Sequence, residues 1–218
     1  MLKEIVTEDG SVTFFNELVQ DSYHSVSGAE EESRKKYAEL VARFLPVKDE
    51  VVVYDVCFGL GYNSAAVIDL VKYKELRFFC FENDKSILGK VALLNPGFSS
   101  YVFVKEFVNN FLLREQDSLV REGLFLNMVF GDFTTRIHDV LEMADFVLFD
   151  PFSPSKVPDL WSLSVFSSLF GKMNPGALLF TYSCAKFVRN NLVSAGFEVF
   201  DGPVVGRKSP GTIARKPF

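Results

Sequence analysis

Short apolar runs alternate along this chain with stretches of helical periodicity, and that alternation restricts the fold more than any other feature. Val51–Val56 is a continuous apolar run, the pattern of a strand buried on both faces. After it come a helical segment Ser64–Val71, a second strand Arg77–Phe81, and a helix Lys85–Leu94 ended by Asn95-Pro96-Gly97. Tyr101–Glu122 is mostly helical with some strand character. Leu126–Phe130 and Phe146–Phe149 read as the third and fourth strands. A helix over Asp159–Met173, with Asp159 as its N-cap, leads through an Asn174-Pro175-Gly176 turn into a fifth strand, Ala177–Tyr182. Lys186–Ala195 is a helix closed by Gly196, and Phe197–Phe200 with Gly211–Arg215 makes a final hairpin. Ahead of the series, residues to about Phe15 read as extended or hairpin. Ser33–Phe44 carries apolar residues at helical spacing (Tyr37, Leu40, Val41, Phe44) and is stopped by Pro46. A β-α-β-α order implies an α/β fold with a mainly parallel sheet and helices on both faces. We expect one domain over residues 1–218, with 1–46 as an N-terminal extension contributing to the ligand site.

Composition narrows the class. Hydrophobic residues make up 48% and charged residues 23%, a globular rather than a disordered balance. Most of the 24 Phe residues must be core. No apolar run reaches the roughly 18–20 residues of a membrane span, and the N-terminus lacks a signal-peptide core. The three cysteines, Cys57, Cys80 and Cys184, each lie in an apolar run, which fits buried free thiols and a reducing cytoplasm. With two histidines and no CxxC or HxxxH spacing, no zinc site is expected. The net charge of −5 argues against a general nucleic-acid binder, although Arg207, Lys208, Arg215 and Lys216 crowd the C-terminus.

The first strand runs into Asp55-Val56-Cys57-Phe58-Gly59-Leu60-Gly61-Tyr62-Asn63. Gly59 and Gly61 permit a tight turn and a close approach of backbone N–H groups to a ligand. Position 64 is Ser, so the third glycine of a dinucleotide-binding GxGxxG is missing, which weakens a dehydrogenase reading. The alternative is a glycine turn that binds nothing; its place between a buried strand and a helix argues against that. Asp55, Glu82, Asp132 and Asp150 all fall at or near carboxyl ends of strands, where open α/β sheets bind ligands. Glu82, followed by Asn83, is positioned to accept hydrogen bonds from ribose hydroxyls. Asp132, between Gly131 and Phe133, can accept from an adenine amino group while Phe133 packs on the ring. Each acid also has an ordinary reading as a solvated strand end.

The most informative stretch is Phe149-Asp150-Pro151-Phe152-Ser153-Pro154-Ser155-Lys156-Val157-Pro158-Asp159-Leu160-Trp161. Its Asp-Pro-Phe resembles the (Asp/Asn)-Pro-Pro-(Phe/Tyr) signature of amino-group methyltransferases. There, a carboxylate and a nearby carbonyl hold an acceptor amine so that its lone pair points at a sulfonium methyl. Because an alkylamine is largely protonated near neutrality, Asp150 must act as a proton acceptor in a mostly apolar pocket. Phe152 would exclude water and pack on the acceptor. Lys156 reads as a phosphate contact, and Trp161 as either core packing or a substrate stack.

Taken together, Val56–Asn63, Asp150–Trp161 and the Gly206-Arg207-Lys208 tail resemble the methyltransferase domain of the bifunctional tRNA enzyme family MnmC; Tyr23-His24-Ser25 resembles its N-terminal cofactor contact. The resemblance implies a Rossmann-like class I fold, a mainly parallel seven-stranded sheet with a terminal antiparallel hairpin. It also implies S-adenosylmethionine as cofactor and N-methylation of the 5-aminomethyl group of a wobble (2-thio)uridine in tRNA. Asp150 would receive the amine proton. Tyr23, Ser25, Asp55, Phe58, Gly59, Gly61, Asn63, Glu82, Asn83, Gly131, Asp132, Phe133 and Asp150 would surround the cofactor. Phe152, Lys156, Trp161, Arg207 and Lys208 would meet the tRNA. The sequence departs from the family by lacking its FAD-dependent oxidoreductase domain, and by Pro151 and Val157 where many members have Gly and Asn. We expect a cytoplasmic monomer without metal or membrane, fed its aminomethyl substrate by another enzyme. The competing readings are methylation of a small amine and a non-catalytic cofactor- or tRNA-binding module.

Overall fold

The structure is a computed structural model that describes residues 1–206 and 208–218. Its N-terminal part is a three-stranded antiparallel sheet, β1 (Leu2–Val6), β2 (Val12–Asn16) and β3 (Asp21–Ser22), in that order. Helices α1 (Ala29–Ser33) and α2 (Glu39–Arg43) follow, joined through a π-helical turn over Arg34–Ala38. The remainder alternates as expected: β4 (Glu50–Val56), α3 (Tyr62–Leu70), β5 (Glu75–Glu82), α4 (Lys85–Val91), α5 (Tyr101–Arg114), β6 (Ser118–Arg121), β7 (Leu124–Phe130), α6 (Phe133–Arg136), β8 (Ala144–Phe149), α7 (Leu163–Gly171), β9 (Met173–Thr181), α8 (Lys186–Ser194), β10 (Glu198–Asp201) and β11 (Thr212–Arg215).

The main sheet has the order β10-β11-β9-β8-β4-β5-β7-β6. Its centre is parallel, and both edges are antiparallel. It therefore holds eight strands rather than seven. The additional one is β6, which occupies the end of the stretch read as mixed helix and strand. Helix α5 stops at Arg114 because Glu115 turns left-handed (φ 55°), and the chain returns along β7 through Gly123 (φ 71°).

Strand alternation divides the core. Val51 and Val53 of β4 pack into a cluster with Tyr37, Ala65 and Phe107, on one face. Val52, Tyr54 and Val56 pack on the other with Phe149, Phe166 and Leu192. Burial of apolar side chains on both faces is what makes these strands nearly free of polar residues.

Two local expectations change. Asn174-Pro175-Gly176 lies inside β9 and not ahead of it. Ala144 pairs with Met173 while Phe146 pairs with Leu178, so the extra residues bulge out, with Gly176 at φ 80° beneath the Phe218 ring. Helix α7 is capped by Ser162, whose hydroxyl accepts from the Val165 amide, and not by Asp159, because Pro158–Trp161 first forms a separate 3-10 turn. No helix among the described residues is long and apolar enough to cross a membrane.

Candidate active site

Strand β4 is flanked by β5 on one side and β8 on the other, so the chain crosses the sheet in opposite directions from it. The carboxyl ends of β4, β5, β7 and β8 open there onto a crevice, the usual ligand position in such folds. The crevice is a cavity of about 500 Å³. The antiparallel β1–β3 sheet roofs it with Asn16, Leu18, Val19, Tyr23 and His24.

At the β4 end, the chain turns sharply. Cys57 (φ 65°), Gly59 (φ 56°) and Gly61 (φ 73°) all lie in the left-handed region, and a Cβ at Gly61 would sit 2.6 Å from Phe58 and Val104. Gly61 thus shapes the loop as the residue ahead of α3 and does not itself line the cavity. Asp55 also stays outside it. The side chain is fully buried under the loop, where Oδ2 accepts a 2.6 Å hydrogen bond from the Ser64 hydroxyl. The Ser at position 64 is therefore the anchor of Asp55. Burial raises the Asp55 carboxyl to about 7.

At the β5 end, Glu82 is held by three backbone amides. Oε2 accepts from Gly59 at 2.7 Å, and Oε1 accepts from Asn83 at 2.8 Å and Asp84 at 2.9 Å. Burial raises its proton affinity and these three donors oppose the rise. Asp84 caps α4 through the Ser86 amide and accepts the Tyr23 hydroxyl at 3.0 Å, tying the roof to the sheet. At the β7 end, Asp132 Oδ1 caps α6, accepting from the Thr134 amide and hydroxyl, both at 2.8 Å. Phe133 is buried edge-on to Phe81. Phe58, Gly59, Asn63, Glu82, Asn83 and Gly131 line the cavity, as do Asp132 and Phe133.

At the β8 end sits Asp150. Asn63 Nδ2 donates to its Oδ2 at 2.9 Å, while Asn63 Oδ1 is buried with no partner among the described residues. Burial raises the Asp150 carboxyl to about 6; the charge of Glu32 adds to the rise, and Asn63, Tyr37 and Lys36 oppose it. The Tyr37 hydroxyl is buried close to Asp150 yet forms no well-aligned hydrogen bond.

A second cavity, about 360 Å³, lies on the other side of Asp150. Asp150, Tyr23, His24 and Phe152 border both cavities, and Tyr23 packs edge-on to Phe152 at 4.8 Å. Ser25 lines only this second cavity, with Asp21, Glu32, Lys36 and Tyr182. Asp21 accepts from the Ser153 amide at 2.8 Å and so pins the loop after β8 to the roof.

The remaining expected residues divide. Lys156 is exposed at the first cavity's rim. Trp161 is wholly buried against Phe149, its Nε1 donating to the Phe152 carbonyl at 2.9 Å, so it supports the loop from below and stacks on no substrate. Lys208 is exposed and borders neither cavity, and Arg207 lies outside the described residues. Sequence reasoning missed Asn16, Leu18, Val19, Asp84, Glu32 and Lys36. Asn16 and Asp84 read as turn or cap residues, Leu18 and Val19 carry no periodicity that marks a site, and Glu32 and Lys36 read as a solvated i,i+4 pair.

The first cavity fits an adenosyl sulfonium. It offers a buried carboxylate, Glu82, and an aromatic ring, Phe133, on its lining, groups suited to a nucleoside. The unpartnered Asn63 Oδ1 can accept from an ammonium such as that of a methionine moiety. The comparisons agree. Residues 100–217, more than half of the chain and including the whole loop after β8, match the family described as S-adenosyl-L-methionine-dependent methyltransferase. An uncharacterized protein of Methanocaldococcus jannaschii is 27% identical over 97% of this chain. The tRNA 5-methylaminomethyl-2-thiouridine biosynthesis bifunctional protein MnmC of Campylobacter hominis is 28% identical over 87% of it. The chain spans 59% of the former's length and 29% of the latter's. The crystal structure of MNMC2 from Aquifex aeolicus superposes with a TM-score of 0.79 at 30% identity, covering 98% of this chain and 70% of that one. The family match over residues 100–217, together with the likeness of this sheet to MNMC2 over 98% of the chain, makes the chain a member of the S-adenosyl-L-methionine-dependent methyltransferases related to MnmC.

Proposed function

We propose that this protein N-methylates the 5-aminomethyl group of the wobble (2-thio)uridine of tRNA, giving 5-methylaminomethyl uridine, in the cytoplasm. The observation that carries the reading is that Asp150 borders both cavities and is the one carboxylate common to them. A methyl donor on one side and an amine on the other would meet at it. The Campylobacter hominis relative, a tRNA 5-methylaminomethyl-2-thiouridine biosynthesis protein, supports the tRNA substrate.

S-adenosylmethionine, when bound, supplies an electrophilic methyl group on a positively charged sulfur. Glu82 and Asn83 would hold its ribose, Asp132 and Phe133 its adenine, and Asn63 its amino-acid end. Asp150 orients the amine and takes its proton: Oδ2 is fixed by Asn63, which leaves Oδ1 for the amine. A carboxyl raised to about 6 remains ionised at neutral pH and is a stronger proton acceptor than an ordinary Asp. Phe152 and Tyr23 keep water from the meeting point, and desolvation there also lowers the amine's affinity for its proton. Lys156, Arg207 and Lys208 would meet tRNA phosphates.

The test is incubation with undermethylated tRNA followed by mass spectrometry of its nucleosides. A 5-aminomethyl uridine gaining one methyl group is the expected result; no gain on any tRNA overturns the substrate. The acidic net charge favours a second reading, a small-molecule amine acceptor. Salt separates the two, because phosphate contacts make tRNA affinity fall steeply with ionic strength and a small amine has none.

A further inference from the structure

The second cavity contains a charged pair that the methylation chemistry above leaves unused. Glu32 and Lys36 are both buried, 7% and 5% exposed, and form an ion pair one helical turn apart. Glu32 Oε2 also accepts from the Ser25 amide at 2.9 Å. Lys36 carries three donors, and the only partner recorded among the described residues for its ammonium nitrogen is Glu32, with the Tyr182 ring at 6.0 Å. Removing two charges from water is expensive, and apolar residues would pack this position at least as well. The pair lies where the helix departs from regular form. The π turn over Arg34–Ala38 brings consecutive residues Lys36, Tyr37 and Ala38 into the interior, which an ordinary helix spreads about 100° apart. The π turn thus leaves buried, unspent hydrogen-bond donors on Lys36 bordering the same cavity as the Asp150 carboxylate.

We infer that this cavity is the acceptor pocket and that Lys36, held by Glu32, is a specificity residue that donates to a carbonyl oxygen standing beside the reactive amine. The inference rests on the amine-methylation reading and adds the residue that would select the acceptor by the ring carbonyl next to its amine arm. A ring with an amino group at that place meets donor against donor and is rejected, since a site built around a buried donor with hydrogens to spare discriminates sharply.

The experiment is calorimetric titration of the full chain, loaded with S-adenosylhomocysteine, with two nucleosides of the same size and the same amine arm. 5-Aminomethyluridine has a carbonyl beside the arm; 5-aminomethylcytidine has an amino group there. The wild-type protein binds the first about tenfold or more tighter, the size expected of a hydrogen bond to a charged donor. In E32Q/K36M, where the introduced side-chain amide oxygen can still accept from Ser25, the preference disappears while S-adenosylhomocysteine affinity is unchanged. Equal binding of the two nucleosides, no binding of either, or a preference that survives in the folded double variant overturns the inference. The wild-type comparison needs no variant, so misfolding of the variant leaves that result standing. A protein that shows the preference yet transfers no methyl group sinks the methylation reading instead.

Discussion

Glu82, buried at the end of β5, and Asp150, half-buried directly after β8, are carboxylates at the rim of one sheet, and they are held in opposite ways. Glu82 takes three backbone amides. Asp150 takes one side-chain amide, from Asn63, with a tyrosine hydroxyl nearby that is not aligned to donate. Those backbone donors sit in the turns directly after β4 and β5, so the Glu82 carboxylate is held rigidly. Asp150 is left with lone pairs facing the two cavities, and desolvation raises its carboxyl to about 6. On the proposed function, one rim would separate binding from proton transfer by how many fixed donors each acid takes: three backbone amides at Glu82 and one side-chain amide at Asp150.

The comparison breaks most readily at Asp150. Asp150→Asn keeps shape and loses the proton acceptor, so kcat should fall by roughly 10²–10⁴. S-adenosylmethionine affinity, measured by titration, should change little. A variant turning over at the wild-type rate would remove Asp150 from the chemistry. In the wild type, log kcat should fall off below about pH 6 as Asp150 becomes protonated.

Glu82→Gln should show the reverse split. The amide places an NH₂ against backbone N–H donors, and cofactor affinity should weaken by about 10–100-fold, the loss expected for charged hydrogen bonds. With saturating cofactor, kcat should recover to near the wild-type value. A kcat defect that persists at saturation would mean that Glu82 and Asp150 do not divide the work as argued.

Trp161→Phe sharpens the comparison from beneath. It removes the Nε1 bond to the Phe152 carbonyl and part of the packing on Phe149. A loss of about 1–3 kcal/mol in urea unfolding is expected. If stability is unchanged while acceptor KM rises, the ring contacts substrate after all.

The smallest effect concerns pH and stability. Asp55, raised to about 7, and Asp150, raised to about 6, bind protons more readily in the folded than in the unfolded chain, and Glu82 shifts the same way. Stability must therefore fall as pH rises through these values. His24, buried, stacked on Tyr62 and lowered to about 4, acts in the opposite sense, but only below about pH 6.5, its unfolded value. Between pH 8 and pH 6 the ligand-free protein should gain roughly 1–2 kcal/mol, and Asp55→Asn should flatten most of that slope. A thermal midpoint independent of pH in that window would show that Asp55 is not held as described.

What could be read without the structure was whatever depends on neighbours in sequence. The β-α alternation, the glycine turn after β4 and the acids at Glu82, Asp132 and Asp150 follow from local periodicity and from the geometry of strand ends. Tertiary structure decided what depends on distant partners. The roof of Asn16, Leu18 and Val19 meets the rim only after folding, through links such as Tyr23 to Asp84 and Asp21 to Ser153. Edge strand β6 exists because β7 is there to pair with it, and Trp161 became core because Phe149 and Tyr182 surround it. Most of all, a Glu and a Lys four apart in a charged helix read from sequence as a surface pair, since nothing local marks them as buried. That they face Asp150, well over a hundred residues away, is fixed by packing of the π turn against the sheet, because burial is a property of the assembled core and not of the segment.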